Sequence, residues 1–347
     1  MMLKCDVRHA LVGLAILASS RGAPAQDSAA SASPLFAADT PLQMTVHTDI
    51  RTLLRDRGEE RTDHKGIARV SRADGGGVDS AAIELRTRGV FRRRPGVCPF
   101  PPLRLSIGRR AGRDTPFEGE RRIKLVTHCR NTDQYEQYVL QEYLIYRAYA
   151  LLTDLSLRTR LARITYEDAA GREKPVTRYG ILIEHEDRLA ERHRMRVLED
   201  TGTHIARLDP AQTVFMAVFQ YFIGNTDWSI RALHNIVLLT DSAGRVFPVP
   251  YDFDWSGVIA TRYAQPDTSL PIRSVKERLY SGYCGVLEDF EPVFARFRER
   301  RAAIEALYDL EPLERDEREK ARRYYAEFFR LIDDPARVRR EMLKLCQ

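Results

Sequence analysis

Residues 224 to 257 read GNTDWSIRALHNIVLLTDSAGRVFPVPYDFDWSG, and no other stretch of the chain narrows the fold so far. Gly224 ends an apolar helical run. Two short apolar segments, 235 to 239 and 246 to 249, flank Ser242-Ala243-Gly244 and read as a β-hairpin. A hairpin returns the chain to its starting end. The groups before its first strand, Asp227 and Asn235, therefore converge with those after its second, Asp252 and Asp254. Carboxylates and an amide meeting in one cleft suit a hard cation such as Mg²⁺. Asp252 and Asp254 stand two residues apart among Tyr251, Phe253 and Trp255, and would repel without a cation or a basic partner.

The order of these groups is that of the lower half of a protein-kinase-like site: catalytic Asp227, metal-binding Asn235, hairpin, metal-binding Asp252. The upper half needs a strand-borne Lys for nucleotide phosphates and a helical Glu to hold it. Lys124 lies in the apolar run Ile123-Lys124-Leu125-Val126. Only seven of the 55 basic residues are Lys, so a strand lysine suggests a need for a compact point charge. Glu142 follows on a helix read from 132 to 152, on one face with Tyr138, Ile145 and Tyr149.

Elsewhere the pattern places strands at 42–49, 66–72, 78–89, 103–107, 122–126, 159–166 and 176–184. A helix starts after Asp209-Pro210, and helices recur at 286–307, 313–332 and 335–345. The fold expected is α+β and two-lobed, protein-kinase-like: a β-rich N-lobe over 41–185 and a helical C-lobe over 186–347.

Lys4 and Arg8, the apolar run Leu11 to Ala18 and Ala23-Pro24-Ala25 read as a signal peptide over 1–25. Eight apolar residues span about 12 Å as a helix, against about 30 Å of bilayer, so no stable membrane span is expected once the signal is removed. Residues 26–40 read as a flexible leader. Export to a periplasm or out of the cell follows. Cleavage leaves Cys98, Cys129, Cys284 and Cys346, which allow three pairings. Cys98–Cys129 and Cys284–Cys346 are favoured, since each pair lies within one expected lobe. With 44% hydrophobic and 30% charged residues, collagen-like, wholly disordered and multi-span membrane chains are excluded. A net charge of +6 spread along the chain gives little reason to expect nucleic acid as a partner.

The sequence resembles the CotH kinase-like family, secreted relatives of the protein-kinase fold. The resemblance covers roughly residues 80 to 260 and rests on RGVFRRRPGVCPFPPLRLSI, the Lys124 strand with its helix, the GNTDW loop and PVPYDFDWSG. The last is similar to the family's Pro-Trp-Asp-x-Asp-x-x-x-Gly. It implies that Lys124 contacts ATP phosphates, that Glu142 pairs with Lys124, and that Asp227 is the catalytic base. Asn235 and Asp252 would bind Mg²⁺, with Asp254 behind them or as an alternative metal ligand. Backbone groups near Glu184 and His185 would hold the adenine. Two departures stand out. Asp227 and Asn235 are eight residues apart, where kinases have about five. No Gly-rich phosphate loop precedes Lys124, since Gly75 to Gly77 reads as a hairpin turn.

The expected function is Mg²⁺-dependent phosphoryl transfer from a nucleotide to a protein or small-molecule hydroxyl, with nucleotidyl transfer as an unseparated variant. The alternatives are an inactive pseudokinase acting as a binding module and, third, a metal-dependent hydrolase. The Arg92-Arg93-Arg94 run reads as a solvated face that could grip an acidic substrate. His128, His185 and His234 read as structural.

Overall fold

The structure, a computed structural model, describes residues 33–72, 76–199, 205–282 and 287–343. The signal peptide, the remainder of the leader, Cys284 and Cys346 lie outside the described residues. From Ser33 the leader is packed: Pro34–Phe36 forms a 3₁₀ turn, and Leu35 is fully buried.

Alternation of apolar and polar residues sets which face each strand buries. β1 (Leu42–Thr48) turns in Leu42, Met44, Val46 and Thr48. A short helix α1 (Ile50–Arg55) follows, its start capped by the Asp49 carboxylate on the Thr52 amide. Then come β2 (His64–Ser71), β3 (Val78–Thr87), β4 (Leu103–Ile107) and β5 (Arg122–Val126). The long helix α2 (Asp133–Leu152) intervenes before β6 (Thr159–Asp168) and β7 (Val176–Ile183).

The expected two-lobed kinase-like fold is not the one adopted. β1 pairs antiparallel with β2 on one edge and parallel with β6 on the other, Met44 facing Ile164 and Val46 facing Tyr166. That second ladder closes the order β1-β2-β3-β4-β5-β7-β6 into a seven-stranded barrel. A closed barrel has no free edge and fills its interior with its own side chains, here including Leu85, Leu103, Leu105 and Ile123. It is not the open sheet of a small lobe.

Beyond the barrel lie α3 (Glu186–Arg192), β8 (Arg196–Leu198), α4 (Pro210–Ile223), β9 (Ile236–Thr240) and β10 (Val246–Pro250). β8, β9 and β10 form a separate three-stranded sheet. α5 (Leu287–Leu307), α6 (Arg315–Ile332) and α7 (Pro335–Val338) complete the described chain. α4 is apolar on every face and becomes the centre of a second core, where Phe222 stacks on Tyr325 at 4.3 Å. The same core takes in α2 and, from the barrel's outer surface, Val126, Leu161, Ile181 and Ile183. The boundary expected at 185 therefore does not separate two cores.

Gly224 ends α4 at φ 68°, a left-handed cap, with the Asn225 amide donating back to Gln220 O at 2.8 Å. A Cβ there would come within 1.9 Å of the Tyr324 hydroxyl. This sharp stop aims the following loop at the β9–β10 hairpin.

Candidate functional site

The chain between α4 and β9 is folded by its own polar side chains. Asn225 Oδ1 accepts from the Asp227 amide at 3.1 Å, and the Trp228 indole donates to Asn225 O at 3.2 Å. Ser229 and His234 then exchange backbone hydrogen bonds of 2.9 and 3.0 Å. The residues between them loop outward, which takes up the stretched Asp227-to-Asn235 spacing. Asn235 returns to place its Nδ2 on Asp227 O at 2.7 Å and on Asp227 Oδ2 at 3.1 Å. His234 Nε2 pairs with Asp227 Oδ1 at 2.8 Å, and this imidazole is 54% exposed.

After β10, the Asp252 amide donates to the Tyr146 hydroxyl on α2 at 2.8 Å. Leu233, Asn235 and Asp252 have φ of 47°, 55° and 61°. Left-handed backbone is tolerated by Asn and Asp and costly for Leu, so three such residues at one place mark a shape that the surroundings impose. All three line a cleft of about 330 Å³ with Asp227, Asp254, His234, Arg88 and Arg92.

Arg92 is the centre of this cleft. Its Nη1 lies 3.7 Å from Glu142 Oε2 and its Nε 3.3 Å from Asp254 Oδ2, while Nη2 bonds Asp252 Oδ1. Asp254 also accepts from the Tyr263 hydroxyl at 2.8 Å. Burial pushes the Asp254 carboxyl up to about 7, Arg92 opposing and Asp252 adding to the rise. Burial likewise raises Glu142 far above the usual carboxylate range, against the pull of Arg92. At Asp252 burial is outweighed by Arg92, Arg88 and Lys124, which leave its pKa lowered.

The structure brings Asp227, Asn235, Asp252 and Asp254 together and corrects three other expectations. Lys124 does not pair with Glu142. Its Nζ lies 2.8 Å from Glu186 Oε2 and 4.5 Å from the centre of the Tyr251 ring, while Glu142 faces Arg92. Burial lowers the Lys124 pKa and Glu186 counters it. Glu184 clamps Arg192 with both carboxylate oxygens, at 3.0 and 2.9 Å, and its amide is spent on Arg158 O. His185 caps α3. Neither lines the cleft.

Magnesium also fits poorly. Arg92 already engages the carboxylates that would ligate it. Among the described residues no three His, Cys, Asp or Glu side chains are placed to hold a metal ion.

Sequence reasoning does not place Arg92 or Arg88 in this cleft; it takes Arg92-Arg93-Arg94 as a solvated face. The signal available was the unpaired acid couple Asp252 and Asp254, which called for a basic partner. Arg88 makes no ion pair among the described residues, yet its charge reaches Asp252 and Glu142. A larger cavity of about 770 Å³ lies at the barrel rim beside α1. Its acids are committed to structure: Asp168 accepts from the Ile50 and Arg172 amides, and Glu173 pairs with Arg51.

Cys98 and Cys129 form a disulfide, and no described helix is long and apolar enough to cross a membrane. Compared with family models, curated proteins and solved structures, the chain matches none.

Proposed function

We propose that the cleft binds a phosphate ester, a nucleotide first, and transfers its phosphoryl group to a hydroxyl. One observation carries the reading: Arg88 and Arg92 reach the same small cleft as Asp227, Asn235 and His234, from a segment more than 130 residues away in sequence. Arg88, a cation there without a carboxylate partner among the described residues, suits a phosphate oxygen. The Asp227 carboxylate is 31% exposed and held by Asn235 and His234, so it suits an acceptor hydroxyl. In the step proposed, the acceptor oxygen bonds to the terminal phosphorus and the bond to the bridging oxygen breaks. The nucleoside diphosphate leaves, and the hydroxyl proton passes to Asp227. The resemblance to the CotH kinase-like family supports the reading through its motifs alone, without the kinase fold. The disulfide accords with export to an oxidising compartment.

The second reading, a binding module without turnover, is favoured by the commitment of Arg92 to three carboxylates. Thermal shift with ATP separates the outcomes. Ligand at 100 times its dissociation constant is expected to stabilise the fold by about 2.7 kcal/mol. The shift should vanish in Arg88→Met and survive in Asp227→Asn, with transfer of the terminal ³²P label lost in both. Stabilisation with no label transferred by the unaltered chain selects the binding module. No shift with any nucleoside triphosphate overturns both readings.

A further inference from the structure

The cavity of about 770 Å³ at the barrel rim shares no lining residue with the cleft. Three stretches of chain build it: α1, the end of β6 with the turn into β7, and the loop between β3 and β4 at Pro95, Pro99 and Phe100. The parallel ladder of β1 on β6 sets the first two side by side, and the Ile50 amide donates to Asp168 Oδ1 at 3.0 Å. The third stretch is fastened. Arg57 donates to Cys98 O at 2.7 Å and to Pro99 O. The Cys98–Cys129 disulfide ties the loop to the chain after β5, and the Phe100 amide donates to Cys129 O at 3.0 Å. The cavity is therefore preformed, which spares a ligand the cost of ordering its walls.

Ile50, Leu54, Phe100, Tyr166 and Val176 give the cavity an apolar wall, each buried or half-buried. Its charged lining is unbalanced: Arg51, Arg55, Arg57 and Lys174 against Asp168 and Glu173. Both acids are already answered. Arg51 holds Glu173 at 2.7 Å, and Asp168 accepts from the amides of Ile50, Arg172 and Glu173. Arg55, Arg57 and Lys174 have no carboxylate partner among the described residues. Arg57 is half-buried and spends its N–H groups on backbone carbonyls, and burial lowers its pKa with no acid to oppose it. A partly desolvated cation without a counter-charge favours an anion beside it. The Tyr166 hydroxyl, in the same lining, is buried without a hydrogen-bond partner, so a polar group there is also unspent.

We propose that this cavity binds a small organic acid with an apolar body, a medium-chain or aromatic monocarboxylate. The body lies along Leu54, Phe100 and Val176, and the carboxylate bonds Arg55 and Lys174 in the field of Arg57. An inorganic anion would leave the apolar wall uncovered, and a neutral apolar molecule would leave the cations unanswered. The inference concerns this cavity alone and holds whichever ligand the cleft takes.

Isothermal titration calorimetry of the chain with decanoate tests it, beside 2-naphthoate, 1-decanol and acetate. Decanoate is expected to bind saturably and about tenfold more tightly than 1-decanol, the factor that one charge-assisted hydrogen bond supplies. Acetate should give no saturable heat. Arg55→Ala with Lys174→Ala removes two exposed side chains and should erase the advantage of decanoate over 1-decanol. Absence of binding by both decanoate and 2-naphthoate overturns the proposal. Equal affinities of the unaltered chain for decanoate and 1-decanol overturn it too. So does a double variant that melts like the unaltered chain and binds decanoate as tightly. If the double variant melts lower, Arg55→Lys with Lys174→Arg keeps both charges and should bind decanoate as the unaltered chain does. Loss of binding in that charge-keeping chain, at an unchanged melting temperature, overturns the proposal.

Discussion

His128 is 2% exposed, packed against the rings of Phe100 and Tyr166 at 4.6 and 5.7 Å. Burial, with Arg178 nearby, lowers its pKa to about 4. An unfolded histidine titrates near 6.5. A depressed folded pKa gives stability that is present above the unfolded value and lost as pH falls through the folded one. Between pH 6.5 and 4 the chain should therefore lose about 3 kcal/mol from this residue. His128→Asn is expected to flatten that part of a pH series of denaturant melts. An unchanged slope would show that folded His128 takes up its proton as readily as the unfolded chain does. At this scale the sequence was partly legible. Four polar residues of the cleft were readable because hairpin geometry forces them together. Arg92 was not, because a run of three arginines looks alike in sequence. The fold sends Arg92 into the cleft and Arg93 to Gly58 O, and leaves Arg94 exposed 5.6 Å from the Phe91 ring.

The elements themselves were largely written in periodicity and caps. Asp209, Pro210 and Gly224 bound α4 as the signals require, and the β9–β10 hairpin forms around Ser242 to Gly244. α1 escaped notice at six residues, although Asp49 caps it, and β8 at three. One of the two favoured pairings, Cys98 with Cys129, is present; the other lies outside the described residues. The bridge closes a loop of 31 residues, which contributes about 4 kcal/mol by restricting the unfolded chain. Cys98→Ala with Cys129→Ala should lower the unfolding free energy by that order in urea. A loss well below it would mean that the unfolded chain keeps residual structure that already restricts it.

Closure of the barrel could not be read from any window of sequence. Alternation in β1 tells which side chains point inward, but not that its second edge meets β6 more than a hundred residues away. The kinase-like expectation failed at this point, because it assumed an open sheet from strands that were individually well placed. Closure has a consequence for unfolding. The barrel's interior is one core, yet its outer surface shares the second core with α2, α4 and α5. Two cores joined through the same strands should melt together. Both tryptophans, Trp228 and Trp255, lie outside the barrel, so their fluorescence reports the cleft side while far-ultraviolet circular dichroism reports the whole. Leu105 is fully buried inside the barrel, and Leu105→Ala should cost about 2–5 kcal/mol. If the strands couple the cores, the two melts remain superimposed and move down by the same amount. A dichroism melt that shifts while the tryptophan melt stays would separate them, and the cleft would then be held by the helical core alone.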